Sequence, residues 1–188
     1  MARKPNLKVF GRSEDGTLTV EAMIVLPMLL WALGAMFIYW DAFKAQNINL
    51  KATYTLADLI SRESNPINPA YIDGMNGVYN FLIKSDFGNE IRVTVVDFTQ
   101  EEEDDPIEMN LVWSHATGGL GDHDDIADIE DWLPILNPGD SLIMVETWMT
   151  WMPPIGMDIF APTLEQMNFS NMVFTSPRFV PQVVFDDT

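Results

Sequence analysis

The sequence predicts an α+β protein: a long N-terminal helix packed on a small antiparallel sheet, with a second, shorter helix beside it. Three observations predict this. Ala22 to Trp40 (AMIVLPMLLWALGAMFIYW) is a nineteen-residue run without a charge. Apolar residues then continue at helical spacing through Phe43, Ile48, Leu50, Leu56, Leu59 and Ile60. Later runs rich in β-branched and aromatic residues are bounded by Gly, Pro, Asp or Asn, as strands are.

Composition narrows the function classes. The 188 residues are 47% apolar and carry 28 acidic side chains against 10 basic ones, for a net charge of -18. That suits one ordinary domain with an appendage and excludes a wholly disordered chain. Nucleic acid is not an expected partner, because its phosphates would be repelled. With no cysteine, disulfide scaffolds, thiolate metal sites and cysteine nucleophiles drop out. The charge is also unevenly spread. Residues 1–16 carry Arg3, Lys4, Lys8 and Arg12 and are net positive, whereas everything from Asp41 onward is strongly acidic.

The first element is the uncharged run. At about 1.5 Å per residue it reaches roughly 28 Å, close to the hydrocarbon thickness of a bilayer. The basic flank predicts a cytoplasmic N-terminus, and Tyr39-Trp40 would anchor the far interface. A buried core helix is the weaker reading, since a run apolar on all sides is hard to house in one small domain. A cleaved secretory signal is weaker too: Asp41-Ala42-Phe43-Lys44-Ala45-Gln46 offers no good small-x-small site. No Gly or Pro lies between Ala35 and Asn65, so the helix is expected to run on from about Thr19 to Glu63, roughly 68 Å in all. Pro27 removes one backbone bond inside it and predicts a kink, which membrane helices tolerate.

Next comes a second helix over Pro69 to Ser85, where Tyr71, Ile72, Met75, Val78, Tyr79 and Leu82 recur near helical spacing. Strands are expected at Ile91–Phe98, Met109–Ser114, Leu142–Trp151 and Phe179–Phe185, the last at an edge or irregular because of Pro181. In the third of these, Ile143, Val145, Thr147, Met149 and Trp151 fall on one face. Two acidic segments interrupt the strands, EEEDDPIE at 101–108 and GDHDDIADIED at 121–131. Both read as solvated loops. Asp122, Asp124, Asp125 and Asp128 are the carboxylates that would offer oxygen ligands to calcium, though without the EF-hand spacing. No other cofactor is expected. His115 and His123 are the only histidines, and neither sits in a HExxH, GxSxG or P-loop pattern, so no enzymatic activity is expected. Trp148 and Trp151, before Pro153-Pro154, read as a core strand running into a turn or as an exposed aromatic patch.

The start of the long helix carries the functional signal. Glu21 stands at the edge of the apolar run with no cation within a turn or two beyond it, and an unpaired carboxylate carried into hydrocarbon costs a few kcal/mol. A cut after Gly16 would create an amine at Thr17, about one turn from Glu21 and equally accessible from a neighbouring copy. A basic leader ending in Gly, four residues, Glu and then an apolar run resembles the signal of type IV pilin-like proteins. The string GTLTVEAMIVLPMLL, with Val20-Glu21 and Leu26-Pro27, is similar to the TadE-like minor pilins and pseudopilins of tight-adherence (Tad, Flp) pilus systems, and so are LKATYTLADLISR (Leu50–Arg62) and the late Pro177-Arg178. Ala22 departs from the bulky residue that many members have after the Glu.

The resemblance implies three regions: a leader over 1–16, a helix over 17–63 with its membrane part about 22–40, and an acidic head over 64–188. It implies cleavage between Gly16 and Thr17 by a prepilin peptidase, with Glu21 pairing a subunit amine. It also implies a single-pass inner-membrane protein with a periplasmic head, incorporated as a minor subunit into a pilus. Its partners would be other pilin and minor pilin subunits, the pilus assembly machinery and inner-membrane lipid. The alternative is an envelope protein that keeps its signal anchor, never polymerises, and carries a cation- or glycan-binding adhesion head.

Overall fold

In the computed structural model, which describes residues 17–85, 88–102, 104–153 and 166–186, one helix sets the layout. Helix α1, Thr17–Ser61, is continuous over 45 residues and passes through Pro27. Its end is tightened by backbone bonds from Arg62 to Leu59 and from Glu63 to Ile60, while Glu63 Oε1 accepts from the Ser64 and Asn65 amides just before Pro66.

Helix α2, Pro69–Ile83, starts where Asn68 Oδ1 accepts the Tyr71 amide at 2.9 Å and Pro69 opens the first turn. It stops two residues before the expected Ser85, because Lys84 turns left-handed (φ 57°) and donates its N–H to Asn80 O.

Four strands follow: β1 Glu90–Thr99, β2 Glu108–Ala116, β3 Ser141–Trp151 and β4 Met167–Thr175. All pair antiparallel in the order β2-β1-β3-β4, so β1 and β3 are central. Val112 is an extra residue opposite Val95 and Val96, a bulge in β2. The architecture is the expected α+β one: a long apolar helix, a second short helix and a small antiparallel sheet.

The expected strand at Phe179–Phe185 is corrected. That segment is irregular, and its β-pairing is a single parallel bridge, Ile67 to Phe185. Pro181 has no N–H to give a ladder; its carbonyl accepts from Ser141 Oγ instead, and Val183 O accepts from Trp113 Nε1. The fourth strand is MNFSNMVFT at 167–175, paired with β3 from Trp151↔Met167 to Ile143↔Thr175.

The sheet buries apolar side chains on both faces. Towards the helices, Ile91, Val93, Val95, Ile143, Val145 and Val173 pack with Leu56, Ile60, Ile72 and Tyr79. Ile143, Val145, Thr147, Met149 and Trp151 share that face, as the alternation predicts. On the opposite face Val96, Phe98, Leu142 and Met144 are covered by Ile129 and Leu133 of the β2–β3 connection. The acidic segment 121–131 therefore lids a second core: its acids stay in water while its isoleucines turn inward.

Candidate functional site

The apolar half of α1 stands clear of the rest of the molecule. Met23 is 78% exposed and Trp40 72%, and only 6% of the most apolar stretch is buried. Thr19–Ser61 is long and apolar enough to be a membrane span or signal anchor. A core helix of a soluble domain would instead be covered by its neighbours. Gly16 lies outside the described residues. Thr17 is the first residue of the helix, and Glu21 is exposed four residues on, with no ion pair among the described residues. Pro27 lies in the exposed half, where its missing N–H leaves the carbonyl of Met23 without its usual helical partner.

The helix meets the head at Ile38, which is 2% exposed. There Trp151 Nε1 donates to Asp41 Oδ2 at 3.1 Å, tying the end of β3 to the residue that follows the apolar run. Two turns on, a buried polar network locks the helix in place. The Tyr79 hydroxyl donates to Asn49 Oδ1 at 2.7 Å, Thr147 Oγ1 donates to the same oxygen at 3.3 Å, and the Thr53 and Thr147 hydroxyls lie 2.7 Å apart. Burial pushes the Tyr79 phenol up to about 12, with the Thr147 hydrogen bond acting in the opposite direction. A slip of α1 along the sheet would strand these groups unpaired, at about 1–3 kcal/mol each, so the network fixes register. At the far end Arg178 Nη2 reaches Asp58 Oδ1 at 2.9 Å, Arg62 Nε takes Asp58 Oδ2 at 3.0 Å, and the Arg178 amide donates to Ser61 O at 2.8 Å.

On the solvent side of the sheet, Glu146 is buried beneath a fork from Arg92: Nε to Oε2 at 2.7 Å and Nη2 to Oε1 at 3.0 Å. His123 Nε2 lies 3.0 Å from Oε2 of the same carboxylate, Arg92 Nη1 donates to Gly121 O, and the guanidinium sits 5.1 Å over the Trp148 ring. Beside them a cleft of about 440 Å³ is lined by Trp132, Trp148, Ser170 and Met172. His115 stands in β2 with its ring 5.2 Å from Phe185.

The four candidate calcium ligands are not brought together. Asp122 Oδ1 accepts the Ala116 amide, and Asp125 Oδ1 caps the Ile126–Asp128 turn through the Ala127 amide. Among the described residues no group of three acidic or histidine side chains is close enough to hold a metal ion. Trp148 and Trp151 face opposite sides of the sheet, so they form no joint patch; Trp151 is core, as one of the two readings has it, and Pro154 lies outside the described residues.

Sequence reasoning missed the Arg92–Glu146–His123 cluster, whose members lie 54 and 23 positions apart with no local pattern to join them. It also missed Asn49, Thr53 and Thr147, although polar residues at a helical spacing inside an apolar face were a signal that could have been read. Set against known proteins, the chain matches no protein-family model, no curated protein and no solved structure.

Proposed function

We propose that this chain is a TadE-like minor pilin: a single-pass inner-membrane subunit cut after Gly16 by a prepilin peptidase, with an acidic head on the periplasmic side. One observation carries the reading. The helix is bare and apolar over its first half, with Glu21, which has no ion pair among the described residues, at its start, and is docked over its second half. An exposed apolar rod on a folded head needs both lipid and neighbouring helices to cover it, and Glu21 needs a cation that proteolysis at Gly16 would create.

A further support comes from the far end of the helix. The two stretches on which the resemblance rests beyond the membrane run, Leu50–Arg62 and Pro177-Arg178, meet there: Arg178 grips Asp58 and the Ser61 carbonyl. No catalytic role is assigned.

The test is N-terminal sequencing of protein taken from membranes. Material beginning at Thr17 is expected, and Gly16→Arg should leave a slower-migrating, uncut chain. Glu21→Ala should leave cleavage intact and remove the protein from sheared pili. Material that still begins at Met1 would overturn the reading and leave a permanently anchored envelope protein.

A further inference from the structure

Six basic residues lie beyond the leader: Lys44, Lys51, Arg62, Lys84, Arg92 and Arg178. The three arginines are consumed by Asp58 and Glu146. Of the three lysines, Lys44 and Lys84 line one cleft of about 390 Å³, together with Asp41, Ser85, Thr150 and Met152. Neither lysine has an ion pair among the described residues. Asp41 already accepts from Trp151. Among the described residues, the side chains lining the cleft sum to one net positive charge, in a chain that is otherwise strongly acidic.

Its height matters as much as its charge. Lys44 lies four residues past Trp40, a rise of about 6 Å. The headgroup layer adds roughly 5–7 Å to each side of the hydrocarbon core, so a helix anchored at Trp40 puts Lys44 at the level of the lipid phosphates. Lys84 comes to the same cleft from the left-handed end of α2. On the other side of Trp151 a smaller groove, about 160 Å³ and almost wholly apolar, is lined by Ile38, Tyr39, Phe43, Met167 and Phe169. A charged cleft and an apolar groove sharing one tryptophan wall match the two ends of a phospholipid's headgroup region: the phosphate, and the first carbons of the chains below it.

We infer that this cleft binds the phosphate of one anionic phospholipid, with Lys44 and Lys84 as donors, and so sets the height and facing of the head over the bilayer. The inference rests on α1 being a membrane span. A bound phosphodiester carries one negative charge, matching the excess on the described lining residues.

The experiment uses the full chain in nonionic micelles, titrated with phosphatidylglycerol or phosphatidylcholine, with lipid retention read by native mass spectrometry. Preferential retention of one phosphatidylglycerol is expected. Lys44→Gln and Lys84→Asn, the latter chosen because Asn accepts the left-handed backbone, should each weaken it roughly fivefold, while Lys51→Gln leaves it unchanged. Melting of each variant in phosphatidylcholine checks that the head is folded. Equal retention of the two lipids, or undiminished preference in the folded double variant, overturns the proposal. So does displacement of phosphatidylglycerol by millimolar inorganic phosphate, which would make this a site for a free anion. Resistance of the chain to alkaline extraction from membranes is scored separately: its loss sinks the membrane reading, whereas extraction resistance without lipid preference sinks only the cleft.

Discussion

Tyr79 reports on the core through its proton. Its hydroxyl is shut between Asn49 and Thr147, and its pKa is raised from 10 to about 12. Above pH 10 the unfolded chain releases a proton that the folded chain keeps, so stability is full below pH 10 and falls as pH rises towards 12, by about 3 kcal/mol in all. Tyr79→Phe should reduce that slope, leaving the part due to Tyr71, whose pKa burial and Glu63 also raise, and cost about 1–2 kcal/mol at neutral pH, both readable from urea unfolding between pH 8 and 12. Glu146 makes a different prediction. Glu146→Gln leaves the Arg92 guanidinium buried beside a neutral amide and should cost about 3–5 kcal/mol, whereas Arg92→Met with Glu146→Leu should cost less, its remaining cost coming from His123, which loses its carboxylate partner. Chemical denaturation of the two variants checks the order. At this scale the sequence disclosed what is local: Glu21 stands out because the nineteen residues after it carry no charge. It could not disclose a carboxylate on one strand meeting an arginine 54 positions away, because that contact exists only once the register of β1 against β3 is set.

Among the elements, α1 was legible because nothing interrupts its pattern for thirty residues, and its observed span differs from expectation by only two residues at either end. β1, β2 and β3 were legible from β-branched and aromatic runs. β4 was not. Asn168, Ser170 and Asn171 mask an alternation in which Met167, Phe169 and Val173 face the helices, while FVPQVVF at 179–185 has the stronger strand composition and no way to ladder around Pro181. Packing overrode propensity there. The β2–β3 connection was half legible. Its acids were read correctly as solvent-facing, but Ile126, Ile129 and Leu133 at spacings of three and four residues were the sign of a lid. The turn that launches it is tight: Gly118 has φ +69°, and an added Cβ would meet Glu90 Oε1, which accepts the Gly119 amide. Gly118→Ala should therefore destabilise by about 1–2 kcal/mol, measured as a lowered denaturation midpoint, with the second core loosened first in hydrogen exchange.

For the molecule as a whole, α1 is both the exposed apolar rod and the member against which α2 and the sheet are built. It carries no break between Thr17 and Ser61, and it is pinned at Asp41, at Asn49 and Thr53, and at Asp58. Pro27 is the one proline that interrupts this beam. Leaning it by about 10° shifts one end relative to the other by about 12 Å, and because the head is bolted along half its length, the head must swing with it. The molecule is thus a lever: a push on the free apolar end is delivered to the head at the other.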